Sequence, residues 1–193
     1  MKFYIFILVV ILSFPVLSQE KWYKNSQIDF VSINKMVYFY NKSDNSINDE
    51  IIEPTGFLVK SYGIQFDYNY LLLKKLSIGA VSGFEFQKDP DLNMFKLGAV
   101  IRYFLVDDDN AYLFIQDSNN FSLNKDKFTN GNNFRVGLGI PLLKKSDFNI
   151  DGSIYFQQNY FKLNRSFKII GYSDEIPREL TVKSYGISFG IKF

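Results

Sequence analysis

The chain of 193 residues and 22.5 kDa is 47% hydrophobic and 18% aromatic, which fits one folded domain and excludes a disordered tail or a collagen-like fibre. Its 22 basic residues barely exceed its 20 acidic ones, so it lacks the one-sided positive charge that binding nucleic acid through many phosphates calls for. Cysteine and histidine are both absent; that removes disulfides, thiolate and imidazole metal sites, a lipid-bearing cysteine anchor, and every catalyst of the Ser-His-Asp or Cys-His kind.

The first element is a short basic head at Lys2, then the unbroken apolar run Phe3 to Leu12, then Pro15 and the small or apolar residues Val16, Leu17 and Ser18. This order matches a cleavable secretory signal at 1–18, cut after Ser18 to leave a domain at 19–193. The run is about half of the ~20 residues a membrane-crossing helix needs. Later apolar runs, such as Met36 to Tyr40, are shorter still.

From there on, residues alternate with the period of a β-strand. The first predicted strand, about Gln27 to Tyr40, loses its alternation at Met36. The second sets Tyr62, Ile64, Phe66, Tyr68 and Tyr70 against Ser61, Gly63, Gln65, Asp67 and Asn69. The third opposes Leu76, Ile78, Ala80, Phe84 and Phe86 to Ser77, Gly79, Gly83 and Glu85. In the fourth, Phe95, Leu97, Ala99, Ile101 and Tyr103 face away from Lys96, Gly98 and Arg102, while Val100 and Phe104 interrupt the polar face. The fifth, about Ala111 to Gln116, is nearly all apolar. The sixth alternates Phe134, Val136, Leu138 and Ile140 with Arg135, Gly137 and Gly139, and the seventh alternates Phe148, Ile150, Ile154 and Phe156 with Asn149, Asp151, Ser153 and Gln157. The eighth is the most regular: Tyr185, Ile187, Phe189, Ile191 and Phe193 against Ser184, Gly186, Ser188, Gly190 and Lys192.

Connectors alternate in length. Residues 41–55, 117–131 and 162–179 are long and polar, 88–93 is shorter, and 71–75, 107–110 and 143–147 are short. Together these features predict an all-β, eight-stranded antiparallel up-and-down barrel. The polar face is rich in Gly, Ser, Asn and Gln with single charges, which suits a crowded barrel interior; a soluble barrel would carry many more Lys and Glu outside. Aromatics also gather at strand ends. Tyr68, Tyr70, Tyr103, Tyr112, Phe148 and Phe193 lie near the short turns, and Tyr62, Phe84, Phe86, Phe95, Phe134, Phe156 and Tyr185 near the loops. Two aromatic girdles around an aliphatic belt are expected of a barrel whose apolar face meets lipid. The alternative is a soluble, lipocalin-like ligand carrier.

With signal, asymmetric connectors and a last strand ending in Phe, the chain resembles the small outer-membrane β-barrel proteins of Gram-negative bacteria, the OmpX type and the OmpA transmembrane domain. That resemblance covers Trp22 to Phe193. It implies location in the outer membrane among lipid and lipopolysaccharide, no cofactor, and a C-terminal assembly signal, Tyr185, Ile187, Phe189, Ile191 and Phe193, read by the barrel-insertion machinery. Enzymes of similar fold, the lipid A deacylases and barrel proteases, rely on a histidine that this chain lacks. A structural or surface-interaction role through the loops follows, with a narrow solute channel as the alternative.

Seven charges are expected inside the barrel: Asp67, Glu85, Lys96, Arg102, Arg135, Asp151 and Lys192. Charge in a dry interior must be paired or hydrated. Aligning the apolar faces of the third and fourth strands so that opposite residue numbers sum to 181 sets Glu85 beside Lys96 and Phe84 beside Leu97. Asp107 to Asn110 reads as a polar turn, since the glycine and distal Glu of a calcium loop are missing; the loop at 42–53 lacks that glycine too. Gly137-Leu138-Gly139 reads as lumen packing. Phe121, Phe128, Phe161, Phe167, Ile169, Ile170 and Tyr172 place apolar side chains in polar loops, either as contacts for a partner or lipopolysaccharide or as strand extensions above the membrane.

Overall fold

The computed structural model describes residues 22–42, 46–53, 58–106 and 110–193. The expected signal at 1–18 and residues 107–109 of the acidic turn lie outside them. Among the described residues there are nine strands: β1 (Trp22–Asn41), β2 (Ile47–Ile52), β3 (Val59–Leu73), β4 (Leu76–Gln87), β5 (Leu92–Phe104), β6 (Tyr112–Ser122), β7 (Phe128–Lys144), β8 (Asn149–Leu163) and β9 (Ile176–Lys192). All pairings are antiparallel between sequence neighbours, except that β1 pairs with both β2 and β3 along one edge and with β9 along the other. The β1–β9 ladder runs from Asn25↔Lys192 to Asn41↔Ile176. Eight strands, β1 and β3 to β9, therefore close a ring, and closure satisfies the backbone groups that an open edge would leave bare in hydrocarbon.

The ring agrees with the eight predicted strands, but several limits differ. The connector at 41–55 contains β2, which lies along the upper part of β1 where β3 has ended. The fifth strand extends beyond Gln116 to Ser122, because Gln116, Ser118 and Asn120 point inward while Asp117 and Asn119 point outward. A stretch polar on both faces has no alternation to read. For the same reason β7 starts at Phe128, β8 reaches Leu163 and β9 starts at Ile176, so the expected loop at 117–131 is largely strand and the one at 162–179 shrinks to 164–175.

β1 explains its own broken pattern. Ile33 and Lys35 sit opposite consecutive residues Ser184 and Lys183, leaving Asn34 as the extra residue of a bulge. Inward positions shift from Tyr23, Asn25 and Asp29 below the bulge to Met36, Tyr38 and Tyr40 above it. Two further expectations need correction. Opposite numbers on β4 and β5 sum to 179, pairing Phe84 with Phe95 and Gly83 with Lys96, because the ladder continues to Gln87↔Leu92 and leaves a tighter turn than 88–93. Tyr112 is inside the barrel, not in the girdle; the all-apolar sequence of its strand gave no phase. Trp22 takes part on the turn side instead, its ring 4.8 Å from Tyr68 and 4.7 Å from Tyr70.

Candidate functional site

The lumen is the most constrained part of the molecule, and alternation builds it by sending every second side chain of each strand inward. Its centre is a single polar network. Arg135 on β7 donates to Asp29 on β1 at 2.8 Å, to Gln157 on β8 at 2.7 Å and, weakly, to Gln65 on β3 at 3.4 Å. Its guanidinium lies 4.1 Å from the centre of the Tyr155 ring. Gln157 donates in turn to Glu85 on β4 at 3.0 Å, and Glu85 accepts from Ser61 at 3.0 Å and forms an ion pair with Lys96 on β5. Below them Arg102 pairs with Asp67 and bonds Asn69, and Gln65 links Asp67 to Gln116 on β6. Three carboxylates, Asp29, Asp67 and Glu85, thus meet three cations, Lys96, Arg102 and Arg135, on five strands, and Gln116 and Gln157 extend the network to seven of the eight ring strands. All six are buried, and the site has no net charge from them.

Apolar layers close both sides of this network. On the turn side Tyr23, Val81, Val100, Phe104, Tyr112, Phe114 and Tyr155 pack together. Glycine is required there: a Cβ on Gly186 would stand 2.3 Å from the Tyr155 ring, and one on Gly139 would stand 2.1 Å from the Tyr112 ring. Lys192 lies 4.7 Å from the Tyr23 ring centre, and the gap it shares with Asp151 and Arg102 is only about 10 Å³, at the limit for one water. On the loop side Ile33, Met36, Tyr38, Leu92, Met94, Phe128, Phe161 and Leu180 form a second core, covered by Phe167, Ile169 and Ile170 of the β8–β9 loop.

Glu175 holds that cover in place. Its carboxylate accepts the backbone N–H groups of Ile169 at 2.9 Å, Gly171 at 2.8 Å and Tyr172 at 3.0 Å, together with the Tyr38 hydroxyl. Gly171 has a φ of 90°, a conformation suited to glycine that lets the loop curl round the acid. Burial works to raise the Glu175 pKa, but the Tyr38 hydroxyl and the backbone donors outweigh it and hold the carboxyl below its ordinary range. A lowered folded-state pKa means that the stabilisation is complete above the unfolded value of ~4.3 and is lost as pH falls through the folded value. The tyrosine near-ultraviolet dichroism of the wild type should therefore decline below about pH 4, and Glu175→Ala should remove that transition. At neutral pH the same variant should be cut faster by trypsin at Arg165 and Lys168.

Burial is inverted relative to a soluble protein. Arg135 is 0% exposed, whereas Ile154 is 61%, Ile115 53% and Phe189 50% exposed. Large aliphatic and aromatic residues form the outer wall of every ring strand, with ring contacts such as Phe84–Phe95 at 5.2 Å and Phe156–Tyr185 at 5.8 Å at its loop-side margin. Water would not tolerate a continuous apolar belt of this size on a monomer, but lipid requires it. The fold is that of a transmembrane β-barrel.

No protein-family model and no curated protein matches the chain. Among solved structures it is similar to Neisserial surface protein A, at 12% identity and a TM-score of 0.46, covering 89% of this chain and 95% of that one. The outer membrane protein OprG from Pseudomonas aeruginosa gives 10% identity and a TM-score of 0.46, covering 90% and 95%. Ail, the attachment invasion locus protein of Yersinia pestis, gives 12% and 0.42, covering 90% and 99%.

The barrel places all seven charges named from the sequence on its inward face. It joins Glu85 to Lys96 and Asp67 to Arg102, with Arg135 reaching towards Glu85 at 3.9 Å, and gathers Asp151 and Lys192 with Arg102 around the small gap at the turn end. Glu85 and Lys96 meet as diagonal neighbours, not as directly opposed residues, a distance that two long side chains can span. Asp29, the strongest partner of Arg135, was missed. Its flanking Ile28 and Phe30 did carry the signal, but the bulge at Asn34 hid the phase of the strand. Of the loop apolar residues, Phe128 and Phe161 are wholly buried strand extensions, Phe167, Ile169 and Ile170 pack on the inner core, and Phe121 and Tyr172 are exposed.

Proposed function

We propose that this barrel resides in the outer membrane as a closed, non-conducting and non-catalytic scaffold whose loop side makes contacts at the cell surface. The observation that carries the proposal is the filled lumen, in which a largely aromatic layer, a neutralised ionic layer and a layer of mixed aliphatic and aromatic side chains succeed one another along the axis. A conducting barrel needs a hydrated path, and eight strands leave little room for one. Asp67 and Glu85 are each committed to a cation, which disfavours carboxylate-only acid–base chemistry. No cofactor is part of this reading. Closure through the Lys24–Phe193 backbone bonds, at 2.7 and 2.9 Å, fits a role for the Tyr185 to Phe193 row in recognition by the insertion machinery.

The surface role draws on the loop side. Ile47 and Ile51 of β2 are exposed, and among the described residues β2 pairs with β1 alone, leaving an open strand edge of the kind a partner segment can join. The test is electrical: protein reconstituted into planar bilayers should show little or no steady conductance, and large, stable openings would replace the scaffold reading with a channel.

A further inference from the structure

Lys35 on β1 and Lys183 on β9 stand directly opposite each other on the outer wall. Like charges in that position repel and destabilise a strand pair, and among the described residues no carboxylate lies within ion-pair distance of either. Gln158 on β8 continues the same row beside Lys183. The row sits one outward step beyond Ser32 and Tyr185, at the loop-side margin of the apolar belt.

Directly below it the wall is indented. A groove of about 470 Å³ is lined by Phe30, Ser32, Val136, Phe156, Tyr185 and Ile187, and a second hollow sharing Leu138, Ile154 and Ile187 carries it on past Gly152 to Phe189. Ser32 and Gly152 make the depth, since they are small residues facing outward among large ones. From Tyr185 to Phe189 the slot runs about 13 Å along the strand.

We infer that this is a binding site for one phosphorylated lipid of the outer leaflet, with a phosphate between Lys35 and Lys183 and an acyl chain in the groove beneath them. The two features complement each other: an anion neutralises a repulsive lysine pair that no carboxylate of the described residues pairs with, and a hydrocarbon chain fills a slot whose upper lining, Ser32 and Tyr185, lies one outward step below that pair. A protein partner would find the charges but has no need of a slot continuing into the membrane belt. The inference rests on the reading that the outer wall meets outer-membrane lipid and adds a specific lipid to it.

The test uses the folded full-length mature chain in detergent, titrated with diphosphoryl lipid A and with the same lipid stripped of phosphate, and read by native mass spectrometry. One diphosphoryl lipid A should bind per barrel. Lys35→Gln and Lys183→Gln should each weaken it about fivefold and the pair about thirtyfold, whereas Lys88→Gln, on the β4–β5 turn, should leave it unchanged. The double variant should also lose the rise in thermal stability that lipid A gives the wild type. If it does not fold, Ser32→Leu, which fills the mouth of the groove without touching either charge, should weaken binding instead. Equal affinity for the phosphate-free lipid, unchanged affinity in the folded double variant, or displacement by millimolar inorganic phosphate would overturn the inference. Heat-dependent gel mobility is recorded in parallel, so failure of the barrel reading itself would show separately as a protein that never forms a compact band.

Discussion

Arg135→Met should destabilise the folded barrel by about 3 to 5 kcal/mol, the usual cost of stranding a buried partner charge. Arg135 is wholly buried, and its removal takes from Asp29 its ion-pair partner among the described residues and from Gln157 the guanidinium that donates to its side-chain oxygen. Methionine keeps most of the volume, so the loss reports charge and hydrogen bonding more than a cavity. Urea unfolding from lipid vesicles measures it. Asp29→Asn combined with Arg135→Met should cost clearly less than the sum of the two single changes, because each single change exposes the same broken contact. Glu85→Gln with Lys96→Met should behave in the same way. Strict additivity in both cycles would mean that the ion pairs are not coupled in the folded state.

The second large effect lies on the other side of the wall. Phe189 is the third of the five outward residues from Tyr185 to Phe193, close to the centre of the belt, and is 50% exposed. Phe189→Arg should therefore cost about 2 to 4 kcal/mol when the protein folds into liposomes. Phe189→Leu, which keeps an apolar side chain against lipid, should cost under about 1.5 kcal/mol. A soluble barrel would give the opposite order, since a surface Arg is welcome in water.

What the sequence made legible follows from where a strand has two unlike faces. Between the girdles one side of each strand meets lipid and the other meets the lumen, so single charges such as Arg135 or Glu85 among glycines and serines declare their direction. Beyond the girdles that contrast ends. Asp117 and Asn119 face outward beside inward Ser118 and Asn120, and a run polar on both sides reads as loop although it is strand. β1 hides its phase differently: one extra residue at Asn34 swaps the faces, which concealed Asp29 and made the inward Met36, Tyr38 and Tyr40 look like a break in pattern. The register of β4 and β5 was misplaced by two residues because apolar alternation fixes facing but leaves even-numbered shifts open; the length of the turn decides between them, and turn length is not visible in alternation. The Glu175 cap had no local signal at all, since it depends on backbone amides curling round an acid at the far end of their own loop.

The central claim is that the chain closes into a barrel in the outer membrane with its apolar face towards lipid. Cell fractionation with gel mobility compared before and after boiling tests it most directly. The protein should be found in the outer-membrane fraction and, unboiled, should run as a compact band that shifts on heating. Recovery in a soluble fraction, with the same mobility boiled and unboiled, would contradict it.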